Sequence, residues 1–141
     1  MKIRTFQNSD EPAVIALWQS CGLLRPWNDP KKDIQRKQQL QPEMFLVGLL
    51  DDDLVATVMA GYEGHRGWIN YLAVAAQHRK HGLGRIIMAE AESLLERAGC
   101  PKINLQVRGS NQSAIDFYRR LGYEPDDVVS LGKRLETDDQ T

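Results

Sequence analysis

The residues from Leu72 to Gly84 hold the densest chemistry in the chain. An apolar run (Leu72, Ala73, Val74) ends and a basic loop of Arg79, Lys80 and His81 follows. Gly82 and Gly84 then open a long amphipathic stretch that starts with Leu83 and Arg85. Backbone N–H groups in a first helical turn have no partner within the helix, and the aligned peptide dipoles put partial positive charge there. A turn of that kind, bare of side chains at two positions and surrounded by cations, suits a phosphate or diphosphate. Two standard phosphate loops fail at their defining positions. A Walker loop needs Lys-Ser or Lys-Thr after its last glycine. The dinucleotide fingerprint needs a small residue where Ile87 stands, and an acid at the end of the next strand, where Gln106-Val107-Arg108 is found.

A second group lies downstream, at Asn111, Ala114, Phe117, Tyr118, Leu121, Gly122 and Tyr123. Ala114, Phe117, Tyr118 and Leu121 recur at helical spacing, which by itself makes Tyr118 a core residue. Taken with Arg79-x-x-Gly82-x-Gly84 after the Leu72–Val74 run, however, the pair of motifs resembles the GNAT N-acetyltransferases, in particular those of ribosomal-protein type. The resemblance extends over nearly the whole chain.

It implies a GNAT fold of the α/β (α+β) class, with a mixed central sheet of six to seven strands flanked by about four helices. A splayed strand pair would receive acetyl-coenzyme A, the co-substrate, and no metal would take part. The backbone of Leu72, Ala73 and Val74 would meet the pantetheine arm, with an N–H near Leu72 facing the thioester oxygen. Arg79, Lys80, His81, Gly82, Leu83, Gly84 and Arg85 would hold the diphosphate, and Asn111 would hydrogen-bond the arm. Tyr118 would sit beside the sulfur. A phenol near pKa 10 giving its proton to a thiolate whose acid has pKa about 8.5 works uphill by about 2 kcal/mol. Tyr118 is therefore assigned first to hydrogen-bonding the departing thiolate and second to delivering its proton.

A general base is harder to find. Relatives that acetylate protein N-termini can carry Glu where Gln106 stands, and Gln cannot take a proton, which speaks against a ribosomal-protein substrate. Glu63 is the best remaining carboxylate, although an exposed hairpin charge describes it equally well. His65, or a water relay through Tyr71 or Asn70, is the alternative. The acceptor is a primary amine of unspecified kind, small molecule or protein. A module that binds acyl-coenzyme A without turning it over is the competing reading. A nicotinamide-dependent oxidoreductase is a third class, disfavoured by Ile87 and Gln106.

The elements that must position these residues follow from periodicity and capping. Ile3–Phe6 reads as a strand, and Asn8-Ser9-Asp10 precedes a helix carrying Val14, Leu17, Trp18 and Cys21. After an unusually apolar loop, Gly22–Trp27, Asp29-Pro30 opens a helix to Leu40. Met44–Leu50 and Leu54–Gly61 form a hairpin about Asp51–Asp53, and Gly64–Gly67 turns into a strand from Trp68 to Val74. Gly82–Ala98 is a helix stopped by Gly99, Lys102–Val107 a strand, Asn111–Leu121 a helix, and Val128–Leu135 a last strand. Glu136–Thr141 is a polar tail expected to fray. One strand–helix–strand unit runs from 68 to 107.

Composition bounds the rest. The 141 residues suit a single domain, 1–141, and 42% apolar with 26% charged residues suits a globular one. A net charge of −1 supplies no field for a nucleic acid or an anionic membrane. No apolar run is long enough to span a bilayer, and the N-terminal residues lack the pattern of a secretory leader. Cys21 and Cys100 cannot form a disulfide framework and fit a reducing cytoplasm. His65, His78 and His81 lack the companions of a metal site, and Arg79 and Lys80 would repel a cation from the last two. Oligomeric state stays open, a homodimer included.

Overall fold

A computed structural model describes residues 1–138. In chain order the elements are β1 (Lys2–Thr5), α1 (Glu11–Ser20), α2 (Pro30–Gln38), β2 (Phe45–Leu50), β3 (Asp53–Tyr62), β4 (Gly67–Val74), α3 (Leu83–Arg97), β5 (Ile103–Leu105) and α4 (Gln112–Arg120). Local chemistry explains most boundaries. Asp10 accepts from the Gln7 amide and pairs with Arg4, fixing the entry to α1, whose Val14, Leu17 and Trp18 are buried. Asp29 accepts from the Lys31 amide at 2.9 Å and Pro30 occupies the first position of α2. Asp51 and Asp52, at φ 48° and 68°, make the tight β2–β3 turn in a conformation that Asp tolerates better than most residues. The α3 stripe of Leu83, Ile87, Met88, Ala91 and Leu95 is buried, and the chain leaves the helix through Gly99 at φ 89°.

The strands form one mixed sheet in the order β1-β2-β3-β4-β5, antiparallel except for the parallel pair β4–β5 joined through α3. Gly61 in β3 faces Lys37 of α2, and Thr57 faces Trp18 of α1. Gly61 pairs with Trp68, so the next residue, Gly67, points to the opposite side, where it meets Leu95 of α3. The helices α1 and α2 therefore cover one face and α3 the other.

The sheet has five strands, not six or seven, and the expected strand Val128–Leu135 does not form. Side chains occupy the place of a ladder: Asp126 accepts from Lys102 and Asn104 at 2.9 and 2.7 Å, and Gln106 donates to Ser130. Val128, Val129, Leu131 and Leu135 remain exposed. The end of the chain also departs from expectation. Asp138 is buried, accepting from the Asp29 amide and from Arg36 and ion-paired with Arg134, and the Arg36 guanidinium holds its carboxyl well below the usual carboxylate range. A fixed salt-bridged anchor at Asp138 replaces the expected fraying; residues 139–141 of that tail lie outside the described residues.

Candidate functional site

The sheet opens between β4 and β5. Their pairing ends at Ile69 opposite Leu105, and β4 continues from Asn70 to Val74 with no strand on that side. Within this stretch Thr57 of β3 pairs with Ala73 and Met59 with Asn70, so Tyr71 and Leu72 together face Val58, a β-bulge. Tyr71 takes φ 53°, rare for a non-glycine residue. Strand amides alternate in direction. The Ala75 amide donates back to Val55 of β3 at 2.8 Å, so the amides of Val74 and Leu72 face the opening. At its mouth the Val74 carbonyl accepts from Arg79 Nε at 3.0 Å and Cys21 Sγ at 3.4 Å. The side chain of Ala73 is buried and those of Leu72 and Val74 are half-buried. What these three offer a ligand is backbone.

The start of α3 lies beside this edge. The first intrahelical bond is Ile86 N–H to the Gly82 carbonyl, leaving the amides of Leu83, Gly84 and Arg85 without a ladder partner. Gly82 takes φ 78°, and a Cβ there would meet nothing within 4 Å, so the space before the helix is open. Lys80 also adopts the left-handed conformation, at φ 67°. The side chains of Arg79, Lys80, His81 and Arg85 are exposed around the turn, while Leu83 begins the buried stripe. Gly84 is different. A Cβ there would lie 3.1 Å from the Phe117 ring, so this glycine lets α4 pack against α3; the expectation that it clears space for an anion is corrected accordingly.

The two downstream residues are differently engaged. Asn111 caps α4, its Oδ1 accepting from the Ala114 amide at 3.1 Å, which leaves its own amide hydrogens to point elsewhere. Tyr118 packs edge-on against Phe117 and Tyr123, with ring centroids 5.1 and 5.8 Å away. It lines an open groove of about 1510 Å³ shared with Asn70, Gln106 and Arg108. No described residue hydrogen-bonds its hydroxyl, and burial pushes the phenol up to about 12.

Glu63 is given other work. Its Oε1 accepts from the His65 amide at 2.6 Å and from the Arg66 amide, closing the β3–β4 turn, and these bonds hold the exposed carboxylate below its ordinary pKa. Leu72 is five residues beyond Gly67, roughly 16 Å along β4 at about 3.3 Å per residue. A carboxylate so placed and so stabilised is a poor general base for chemistry beside Leu72. Sequence reasoning also missed Asp33, whose Oδ2 accepts from the Tyr71 hydroxyl at 2.6 Å, and Arg108, which lies 5.8 Å over the Trp27 ring. Nothing local announces either pair, because the partners are 38 and 81 residues apart. Among the described residues no group of three His, Cys, Asp or Glu could hold a metal, and no helix is long and apolar enough to cross a membrane.

Three half-buried tyrosines give the fold an alkaline limit. Burial raises Tyr118, and burial with a carboxylate partner raises Tyr71 (Asp33) and Tyr123 (Glu92). The unfolded chain releases these protons near pH 10 while the folded one keeps them, so this stability is complete below about pH 10 and is lost as pH climbs toward 12. Chemical denaturation between pH 8 and 12 is expected to show that decline, and Tyr118→Phe to make it shallower. A slope unchanged in the variant excludes Tyr118 from the effect.

A profile of the acetyltransferase (GNAT) family matches residues 10–123. An acetyltransferase of Yersinia enterocolitica is 46% identical over 140 residues, covering 99% of both chains. A Sodalis glossinidius acetyltransferase is 46% identical over 141 residues, again covering 99% of each. Among solved structures, Ard1 from Thermoplasma volcanium superposes with a TM-score of 0.75 at 26% identity, over 86% of this chain and 80% of its own. The ribosomal-protein-S18-alanine N-acetyltransferase of Escherichia coli shares the fold with a TM-score of 0.72 at 23% identity, over 86% of this chain and 76% of its own. A parting strand pair beside an open, cation-ringed helix start thus coincides with a family match over most of the chain, and the protein belongs to the GNAT acetyltransferases.

Proposed function

We propose that this acetyltransferase moves an acetyl group from acetyl-coenzyme A to a primary amine, by direct attack within a ternary complex. The observation that carries the reading is the free edge of β4 from Asn70 to Val74, lying beside the open start of α3 at Gly82. The amides of Leu83, Gly84 and Arg85, with Arg79, Lys80 and His81 nearby, take the diphosphate. Leu72 and Val74 bond the pantetheine arm, helped by Asn111. The neutral amine nitrogen forms its bond to the thioester carbon, the Leu72 amide stabilises the negative charge that develops on the oxygen, and the C–S bond breaks with Tyr118 donating a hydrogen bond to the thiolate, while the proton shed by the nitrogen passes to water. To bond the arm at Val74, Arg79 must give up the Val74 carbonyl.

With Glu63 closing a turn and Gln106 unable to accept a proton, neither residue stands ready to deprotonate the amine. At pH 7 an α-amine near pKa 7.8 loses only about 1 kcal/mol by reacting as its neutral minority, against about 4–5 kcal/mol for a lysine-type amine. Amines of low pKa are therefore the favoured acceptors. The same gap supports the second reading, a module that binds acyl-coenzyme A without turnover.

Titration calorimetry with acetyl-coenzyme A, then thiol release across amino acids, polyamines, aminoglycosides and short peptides, separates the two. Saturable binding with amine-dependent release supports transfer. Tight binding with no release across the panel favours the module, and no binding removes both.

A further inference from the structure

The bulge in β4 is held in place by residues of three other elements. Tyr71 carries a left-handed backbone that glycine would adopt without strain, and a tyrosine persists there only if its surroundings over-determine it. They do so at three points. The Tyr71 ring stacks on Trp18 of α1 with centroids 3.8 Å apart and planes 13° from parallel. The Tyr71 carbonyl accepts from Thr57 Oγ1 at 2.8 Å, and that same hydroxyl accepts from Trp18 Nε1 at 2.9 Å; both Thr57 and Trp18 are fully buried. The Tyr71 hydroxyl donates to Asp33 of α2, whose other oxygen accepts from Arg36 at 3.1 Å, itself paired with Asp138. The next residue is Leu72. A strand that relaxed out of the bulge would turn its side chains and amides by one position, and the Leu72 amide would leave the opening.

We infer that Asp33 is a positioning residue for acetyl transfer: acting through the Tyr71 hydroxyl, it holds the bulge that aims the Leu72 amide at the thioester oxygen. The inference rests on the acetyl-coenzyme A reading given above. It also ties α2 to the group that stabilises the developing charge.

The test uses the full chain and needs no identified acceptor. The infrared stretch of bound [1-13C]acetyl-coenzyme A reports hydrogen bonding to the thioester oxygen, and slow hydrolysis of the same compound reports catalysis with water. Tyr71→Phe, which keeps the ring on Trp18, and Asp33→Ala are expected to shift the bound stretch to higher frequency. Both should cut hydrolysis about tenfold, a loss in the range of a weakened oxyanion contact, with the dissociation constant within about twofold of the parent. Asp33→Asn, which still accepts from the phenol, should restore both. Near-ultraviolet circular dichroism checks that each variant is folded.

An unshifted stretch in folded Tyr71→Phe and Asp33→Ala overturns the inference while leaving the transferase reading intact. So does an equal loss in Asp33→Asn and Asp33→Ala, which would mark simple packing of α2. Failure of the parent protein to bind acetyl-coenzyme A removes the transferase reading, and this inference with it.

Discussion

Gly82→Glu is expected to weaken acetyl-coenzyme A binding at least about a hundredfold, a loss of about 2.7 kcal/mol or more, while leaving the protein folded. Two effects combine. The open space in front of α3 fills with a side chain, and a carboxylate enters the region where unpaired amides, the helix dipole and Arg79, Lys80, His81 and Arg85 favour negative charge. A like charge beside a diphosphate removes more than the contact it displaces. Gly82→Ala isolates the backbone term: at φ 78° it costs about 1–2 kcal/mol of stability with a much smaller loss of affinity. Calorimetry on all three proteins decides the matter, and unchanged affinity in Gly82→Glu would place the diphosphate elsewhere. Gly84→Glu is a worse probe, because its Cβ would lie only 3.1 Å from the Phe117 ring and lost binding would mix with lost packing.

Tyr118→Phe is expected to lower kcat between about tenfold and a hundredfold with little change in acetyl-coenzyme A affinity. The range corresponds to the roughly 1.5–3 kcal/mol of a hydrogen bond to a charged group, here the departing thiolate. A phenol raised to about 12 stays protonated throughout the working range, so it can always donate. The same elevation makes full transfer to a thiolate whose acid has pKa near 8.5 uphill by about 3.5 units, close to 5 kcal/mol. Stabilisation is thus favoured over protonation more strongly than reference pKa values alone would indicate. The parent pH–rate profile should show no limb from Tyr118 between pH 6 and 9, and Tyr118→Phe should lower it evenly. A variant that keeps the parent kcat would mean that the sulfur lies elsewhere and that Tyr118 is only part of the aromatic cluster with Phe117 and Tyr123.

Much of the architecture was legible because it is written in neighbours. Asp29-Pro30, the Asp51–Asp53 turn, the α3 stripe ending at Gly99 and the Asn111 cap each depend on groups within a few residues. The segment joining β4 to α3 was legible for the same reason: its unpaired amides, glycine and cations are consecutive. Chemistry that local survives translation into three dimensions almost unchanged.

Other features were decided only in space. Asp33 accepts from the Tyr71 hydroxyl, 38 residues away, and Gly84 serves Phe117, 33 residues away. Val128–Leu135 has the composition of a strand, yet forms no ladder with three-residue β5 and leaves its apolar side chains exposed. The left-handed Tyr71 cannot be read from an Asn-Tyr-Leu triplet, since that conformation is unfavourable locally and is sustained by Trp18, Thr57 and Asp33 from other elements. By itself, the order of residues determined which elements would carry the candidate site and set unpaired amides, a glycine and cations together at the start of α3. Tertiary structure alone decided which amide faces the gap and which carboxylates are already engaged, because strand register and side-chain partnership arise from contacts between distant parts of the chain.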